Sequence, residues 1–213
     1  DLITLIQVFE HIEHPDQLLQ EIKALLNQET LILVNVPNMS TNPFELVVAD
    51  HDFHYSLHTL LSMLNRWGFE VLTLTQHHIP KELSAICCLS DIPLSPAVQD
   101  VEPIRHLLEK TLNELETLVK HCFQVKEASQ NHPFGLLGKS YANAYLTGLL
   151  ENQVDFFVDE SPVNINTTYF NKPVYHPSNV PQGAFCFLPF PQTMANMIGT
   201  RLHMAYPHIE WKF

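Results

Sequence analysis

Apolar runs and helical stripes alternate along the first ninety residues. Residues 2–9 and 30–36 are short, continuous apolar runs, which is typical of strands buried on both faces of a parallel sheet. Between them, Pro15 opens a segment in which leucine and isoleucine recur with helical spacing. The pattern predicts a βαβ unit and therefore a parallel sheet with helical crossovers.

A second helix and two further strands follow the irregular segment 38–55. Ser56 is a predicted helix cap, and Gly68 comes directly after the last position of the next apolar stripe. Two more apolar stretches predict strands, at 69–76 and 83–89. The link between these two strands is short, which predicts a hairpin and one antiparallel strand.

The second half of the chain repeats the alternation after a predicted linker. Residues 90–103 hold three prolines and several acidic residues, and helical spacing then predicts a long helix from about 103 to 129. The expected later elements are strands at 134–137, 154–158 and 184–188, helices at 140–150 and 192–205, and an extended end at 208–213. We therefore predict a first domain at 1–92, a linker and long helix at 93–132, and a second domain at 133–213.

Composition narrows the class of protein. Apolar residues make up 46% of the 213 residues, which supports a packed core, and no apolar stretch approaches the ~20 residues of a membrane helix. The net charge of -12, with only 11 lysines and arginines, argues against nucleic acid as a partner. None of the four cysteines forms a C-x-x-C pair, and no secretory signal is visible, so we expect a cytoplasmic protein with no membrane partner.

Two polar pairs follow the carboxyl ends of two predicted strands. Glu10 and His11 follow the first strand, and Asp50 and His51 lie in the loop after the second. Open α/β sheets bind their ligands at this edge, so we expect both pairs to converge on one site. A carboxylate beside a histidine favours its charged form and fixes its orientation. We therefore expect a general base among the histidines of the segment at 50–56.

The segment DHDFHYS at 50–56 also permits two other interpretations. His51 and His54 could bind a metal, but the His-x-x-His spacing on a loop lacks a further recognisable ligand set, so no metal is expected. A solvated loop that ends in a helix cap is the structural alternative.

The segment FGLLGKS at 134–140 ends in Gly-Lys-Ser, as a P-loop does. A P-loop requires a glycine where this chain has Pro133, so nucleotide hydrolysis is not expected. The segment is instead predicted to be a strand–turn–helix junction in which Gly138 permits close packing. Alternatively, the amides at the start of the helix bind an anion. A dehydrogenase-like dinucleotide site would need a Gly-x-Gly-x-x-Gly motif, which is absent from the sequence.

The chain resembles a known family in two stretches. DLITLIQVFEHIEHPDQLLQEIKALLNQETLILVNVPN, followed by DFHYSLHTLLSMLNRWGFEVL, resembles the C-terminal part of a class I S-adenosylmethionine-dependent methyltransferase domain over about residues 1–90. GLLGKSYANAYLTGLL, DFFVDESP, KPVYHP and FCFLPFPQTMANMIGTRL resemble the C-terminal domain of the C-methyltransferase subgroup, which includes sugar C-methyltransferases. The resemblance implies an α/β fold, in which the C-terminal half of a Rossmann-like sheet is followed by a second small α/β domain.

The resemblance also implies roles for particular residues. In that subgroup an acidic residue and a histidine after the fifth strand lie at the transfer site, with the histidine as base, and Asp50 and His51 match them. His11 matches a histidine after the fourth strand. The resemblance therefore implies that His51, oriented by Asp50, removes a proton and that His11 positions or polarises the acceptor. The residues expected to contact substrate are Glu10, Asn38, Tyr55, Gly138 and Lys139. In the second domain Asn164 stands near the position of the subgroup's lysine, and the tyrosine found shortly before the acidic residue is missing.

The implied cofactor is S-adenosylmethionine, and the implied partner is a small acceptor, with nucleotide-linked sugars among the candidates. The family's glycine-rich cofactor loop would lie before Asp1, so we expect this stretch alone to bind the cofactor weakly or not at all and to be inactive. Residues 2–9 would then form an apolar edge strand that pairs with other residues or with another chain. The alternative is a truncated, non-catalytic binding or scaffold module.

Overall fold

The computed structural model describes residues 1–27, 29–94 and 100–213. The chain divides into two units, Asp1–Leu112 and Asn113–Phe213. Part of the predicted linker, residues 95–99, lies outside the described residues. Within these residues no helix is both long enough and apolar enough to cross a bilayer.

The first unit is built on a four-stranded sheet with two helices. Its elements are β1 (Leu2–Ile6), α1 (Pro15–Leu25), β2 (Leu31–Pro37), α2 (Leu57–Arg66), β3 (Phe69–Thr75) and β4 (Glu82–Leu89). The strand order is β1-β2-β4-β3, with β1 and β2 parallel and the other two pairings antiparallel. The predicted βαβ unit and hairpin are therefore confirmed.

β1 is shorter than the predicted strand at 2–9 and lies at an edge of this sheet. Gln7 adopts a positive φ of 52°, which ends the extended conformation, and a short 3-10 helix follows at Phe9–His11. Leu2 and Ile6 are 60% and 53% exposed, although Leu5 is buried opposite Val34 of β2. The predicted pairing of this edge with a further strand stays a prediction.

The core of the first unit lies between the sheet and its helices. β2 is buried along most of its length, since its neighbours cover both edges. α1 and α2 contribute apolar side chains at helical spacing, including Leu19, Ile22, Leu60 and Leu64, to this core. Burying each such side chain stabilises the fold by about 1.5–3 kcal/mol.

Ser56 caps α2, as predicted. Its hydroxyl accepts a hydrogen bond from the Thr59 amide at 3.3 Å, and the Thr59 hydroxyl accepts one from the Ser56 amide at 2.8 Å. This reciprocal capping box is worth roughly 1 kcal/mol and fixes where the preceding loop ends.

The second unit contains a six-stranded sheet and three helical segments. Its elements are the later part of α3 (Glu102–Ser129), then β5 (Phe134–Leu137), α4 (Tyr141–Leu150), β6 (Phe156–Val158), β7 (Thr168–Tyr169), β8 (Lys172–Tyr175), β9 (Phe185–Phe187), α5 (Gln192–Ala205) and β10 (Glu210–Lys212). The order is β10-β9-β5-β6-β8-β7, and every pairing except β7 with β8 is parallel. The predicted α/β class is confirmed.

Two glycines around β5 have structural roles, Gly138 through its backbone conformation and Gly135 through close packing. Gly138 has a φ of +95°, which allows the tight turn predicted between β5 and α4. At Gly135 in β5, a β-carbon would lie 2.3 Å from the Phe156 ring of β6, so a larger residue would displace that ring. The predicted strand–turn–helix junction at 134–140 is therefore confirmed.

Candidate functional site

The loop between β2 and α2 closes on itself at its base. Asn38, directly after β2, forms an isolated parallel bridge with Tyr55, and the Met39 amide donates to the Tyr55 carbonyl at 3.0 Å. The Asn38 side-chain oxygen accepts from the amide and the hydroxyl of Ser40. These contacts return the polar end of the loop to the carboxyl edge of β1 and β2.

The end of β1 and the end of this loop meet directly. The Glu10 carbonyl accepts hydrogen bonds from the amides of Asp52 at 2.9 Å and Phe53 at 3.3 Å. His11 Nδ1 donates to the Asp50 carbonyl at 2.8 Å, and the rings of His11 and His51 stand edge to face with centroids 4.7 Å apart. The predicted convergence of the two polar pairs is confirmed.

The carboxylate that holds His51 is Glu45. His51 Nδ1 lies 2.5 Å from Glu45 Oε1, and His54 Nδ1 lies 3.4 Å from the same oxygen. The prediction that Asp50 orients His51 is wrong: the Asp50 carboxylate is 77% exposed and lies 3.6 Å from His11 Nδ1. A short 3-10 helix at Pro43–Val47 places the buried Glu45 against the His51 ring.

Glu45 and His51 form a buried, oriented pair. Their side chains are 1% and 9% exposed, so the contact between them is shielded from solvent. A carboxylate accepts hydrogen bonds, so Nδ1 of His51 carries the proton and Nε2 is left with its lone pair. The Asp50 carbonyl imposes the same tautomer on His11. Both rings are therefore arranged to accept a proton or to bind a ligand through Nε2.

Glu10 is buried beside these rings. The residue has no exposed surface, and neither carboxylate oxygen has a hydrogen-bond partner among the described residues. The Nε2 atom of His11 lies 3.9 Å from Oε1. Burial raises the pKa of Glu10, while its own backbone amide, His11 and His51 act in the opposite direction. A buried carboxylate with free acceptor capacity is typical of a functional site.

Tyr55 and Asn38 pack and hydrogen-bond against residues next to the site. Tyr55 is stacked on Phe9 with ring centroids 5.5 Å apart, and its hydroxyl donates to the Met63 sulfur at 3.8 Å. Burial, followed by the Glu10 carboxylate, raises the pKa of Tyr55, so its phenol stays neutral. Asn38 Nδ2 donates to Gln76 Oε1 at 3.2 Å. Their predicted contacts with substrate stay predictions.

Gly138 and Lys139 belong to the second unit. Lys139 Nζ lies 3.4 Å from the Thr167 hydroxyl and 5.6 Å from the centroid of the Tyr169 ring. Ser140 caps α4 by accepting a hydrogen bond from the Asn143 amide at 3.4 Å. The expected anion-binding or substrate-binding role of this turn stays a prediction.

Glu45 is the residue that the sequence analysis missed. It lies six residues before His51, in the stretch PFELV, which reads as part of an irregular loop. A signal was present in Pro43, which favours a helical turn directly after it. Only the folded loop brings the carboxylate onto the imidazole.

The comparison with protein families bears on this unit. A family model described as "Methyltransferase domain" matches residues 1–74. This match supports the assignment of residues 1–74 to a class I methyltransferase domain. It includes β1, β2 and α2 and every residue of the cluster around His51, and it ends within β3. A search of curated proteins found no match.

The matched stretch fits the topology of the first unit. Its parallel strand pair and crossover helix are consistent with a Rossmann-like methyltransferase sheet, and the second strand of the antiparallel hairpin, β4, follows the matched residues. The first unit thus holds its polar cluster at the carboxyl edge of parallel strands, where open α/β sheets bind ligands. The second unit lies outside the matched residues.

Proposed function

We propose that the first unit is the acceptor side of an S-adenosylmethionine-dependent methyltransferase in which His51 removes a proton from the acceptor. The observation that carries this proposal is the buried contact of 2.5 Å between His51 Nδ1 and Glu45 Oε1. It holds the imidazole in the tautomer that a general base requires.

Each histidine has a separate part in this proposal. His51 Nε2 takes the proton from a carbon next to a carbonyl or from a hydroxyl, and Glu45 stabilises the imidazolium that forms. His11, edge-on to His51 and held by the Asp50 carbonyl, positions or polarises the acceptor oxygen. S-adenosylmethionine supplies an electrophilic methyl group in reactions of this class.

No residue of the described chain is assigned to the cofactor. Gly68 is the single glycine between positions 1 and 112, and it follows α2 rather than a strand. A glycine-rich turn after a strand, which holds the cofactor in this family, is therefore not found in this unit. The proposal accordingly concerns the acceptor and its proton.

The proposed acceptor is a small molecule with an acidic C–H or O–H group. Methylation of carbon, with a nucleotide-linked sugar as one candidate acceptor, is supported by the resemblance of the second half to C-methyltransferases. The arrangement of one buried base beside a second imidazole suits removal of a proton next to a carbonyl, because the second ring can polarise that carbonyl.

The experiment replaces His51 by Ala in the full-length protein. Binding of S-adenosylhomocysteine should stay unchanged in calorimetry, while methyl transfer from labelled S-adenosylmethionine to a panel of keto-sugar nucleotides should fall by about 100- to 10,000-fold. His58→Ala is the matched control, because His58 is exposed on α2. Unchanged turnover in the His51 variant would remove His51 from this role.

A non-catalytic binding or scaffold module is the second candidate. Asn164, which stands near the position of the subgroup's lysine, favours it. If the full-length protein fails to bind either S-adenosylmethionine or S-adenosylhomocysteine in calorimetry, the module replaces the enzyme as the proposed function. Binding of either compound rejects the module in favour of the transferase.

A further inference from the structure

Three side chains at the carboxyl edge of the first sheet have the composition of a metal site. Glu10, His11 and His51 each offer one ligand atom, and these atoms all lie within 4.8 Å of one another. Two imidazole nitrogens and one carboxylate are ligands for Zn²⁺ and related transition-metal ions.

The hydrogen bonds behind the two rings fit metal ligation. A histidine that binds a metal usually donates its other N–H to a carbonyl or a carboxylate. His11 Nδ1 donates to the Asp50 carbonyl at 2.8 Å, and His51 Nδ1 donates to Glu45 Oε1 at 2.5 Å. Both Nε2 atoms therefore keep a lone pair, and both rings are held in place.

The carboxylate supplies an independent observation. Glu10 is fully buried, and both of its oxygens lack a hydrogen-bond partner among the described residues. Burying a carboxylate without a partner is costly, and a cation beside it would offset that cost. The side chain of His11 is 37% exposed, so an ion could enter from its side.

We propose that Glu10, His11 and His51 bind a divalent transition-metal ion of the Zn²⁺ class, with one coordination position left open. His11 Nε2 and Glu10 Oε1 are 3.9 Å apart. In a tetrahedral site with bonds of about 2.0–2.2 Å, two ligand atoms lie about 3.4 Å apart, so this pair closes by about 0.5 Å when the ion binds. The ligand atom of His51, which lies within 4.8 Å of the other two, closes by at most about 1.4 Å. The two imidazoles disfavour Mg²⁺ and Ca²⁺, which prefer oxygen ligands.

A second triad, made of Glu45, His51 and His54, overlaps the first at His51. An ion placed there between Glu45 and the Nδ1 atom of His51 would have to break the hydrogen bond that joins them. The triad with Glu10 requires no such loss, and it uses the carboxylate that has no partner. Glu45 then acts as the outer partner that orients His51.

This inference uses the same residues as the proposed function but does not depend on it. A bound ion takes the lone pair of His51 that proton removal would use. Zn²⁺ is therefore expected to inhibit methyl transfer if the proposed reaction is right. Binding of the ion is measured directly, so failure of one proposal leaves the other open to its own test.

The experiment titrates the purified, metal-free protein with Zn²⁺ by calorimetry and with Co²⁺ by visible absorption. One site with an intense, low-symmetry Co²⁺ spectrum is expected. Glu10→Gln and His11→Asn should each weaken Zn²⁺ binding at least about tenfold, and Glu45→Gln by about 10- to 100-fold. His54→Asn and the exposed His58→Asn should leave binding unchanged.

Two results would overturn the proposal. One is a Zn²⁺ site retained at full affinity in Glu10→Gln; the other is a site lost in His54→Asn but kept in His11→Asn. Imidazole ¹⁵N spectra of the unsubstituted protein give a test that needs no variant. On adding Zn²⁺, the Nε2 signals of His11 and His51 should shift together, and their failure to shift would also reject the site.

Discussion

Two strand-end turns, one in each unit, carry polar residues that suggest a binding site, and they use those residues differently. At the edge of the first sheet, Glu10 is buried with both oxygens unpaired among the described residues, and His11 and His51 keep a free nitrogen. After β5 in the second unit, Asn143 Nδ2 donates to the carbonyls of Leu137 and Gly138, both at 2.7 Å, and Ser140 caps α4.

This difference indicates that the turn after β5 stabilises the fold, whereas the cluster at the edge of the first sheet has groups available to bind a ligand or a proton. In the second unit most of the hydrogen-bonding groups of this turn are paired within it. The buried side-chain atoms without a partner in the described part of that unit belong to neutral groups, the amide oxygen of Asn143 and the hydroxyl of Thr147. In the described part of the first unit the unpaired atoms are carboxylate oxygens, namely both oxygens of Glu10 and Oε2 of Glu45. Because an unpaired buried carboxylate costs far more than a neutral group, its presence indicates function more strongly than motif likeness does.

The largest expected effect is that of Glu45→Gln on turnover in the full-length protein. A Gln side chain can donate its amide N–H to His51 Nδ1 and so favour the tautomer whose Nε2 carries the proton. The ring can then no longer act as a base, and kcat should fall by about 100-fold or more with KM little changed. Steady-state kinetics measure both constants.

Glu45→Asp is the matched control for this prediction. A shorter carboxylate still accepts the hydrogen bond from Nδ1, so part of the lost kcat should return. Equal losses in both variants would show that Glu45 acts through packing rather than by orienting the ring.

Asn143→Ala is expected to have the largest effect on stability. The change leaves the carbonyls of Leu137 and Gly138 without their donor in a buried turn, which should lower the free energy of unfolding by about 2–4 kcal/mol. Urea denaturation measures this loss. Asn196→Ala, at an exposed position of α5, should change stability by less than about 0.5 kcal/mol.

An unchanged free energy of unfolding in Asn143→Ala would contradict the view that the second turn is structural. The free amide oxygen and the start of α4 would then deserve testing as an anion site, with inorganic phosphate as the probe.

Glu10→Gln is expected to act in the opposite direction. Removing a buried charge that has no partner should raise the free energy of unfolding of the metal-free protein by about 1–2 kcal/mol. Glu13→Gln, at an exposed position, should have no measurable effect. A destabilised Glu10→Gln protein would mean that the carboxylate supports the fold, and the contrast between the two turns would fail.

Glu10→Gln also tests whether the unpaired carboxylate binds a metal, because a ligand that binds the folded state raises its stability. Zn²⁺ should raise the melting temperature of the unsubstituted protein, because it binds the folded state, and should raise that of Glu10→Gln much less. Thermal unfolding with and without Zn²⁺ measures the difference. An equal rise in both proteins would separate the stability effect of Glu10 from metal binding.

Local patterns predicted most of the elements that form this scaffold. The apolar runs of β1 and β2, the stripe and the Ser56 cap of α2, and the Gly138 turn all follow from signals between near neighbours in sequence. The hairpin of β7 and β8 was missed because Phe170 occupies a position of positive φ where hairpin turns usually carry asparagine, aspartate or glycine.

The candidate site was only partly predictable for a different reason. The strand-end rule brought Glu10, His11 and His51 together correctly, because it depends on topology alone. The partner of His51 depends on how a 3-10 turn and an irregular loop fold back, and adjacency in sequence favoured Asp50. The loop instead places Glu45 against the ring, a contact across six residues that no spacing rule specifies.

The smallest expected effect concerns the exposed pair of Glu160 and Arg201 in the second unit. The hydrogen bonds from the Arg201 guanidinium, at 2.7 and 2.5 Å, lower the pKa of Glu160. A lowered folded-state pKa adds stability above the unfolded value, and that stability is lost as the pH falls through the folded value. Since both side chains are partly exposed, Arg201→Gln should cost only about 0.2–1 kcal/mol at pH 7.

Glu160 is an exposed carboxylate paired with an arginine, whereas Glu10 is a buried carboxylate without a hydrogen-bond partner among the described residues, so the two should respond differently to pH and salt. The deficit of Arg201→Gln in urea denaturation should shrink as the pH is lowered toward 3 and also in about 1 M salt, which screens an exposed pair. A deficit that persists under both conditions would mean that Arg201 stabilises the fold by packing. Glu10 should show no such salt dependence, because its carboxylate is buried and has no arginine to lose.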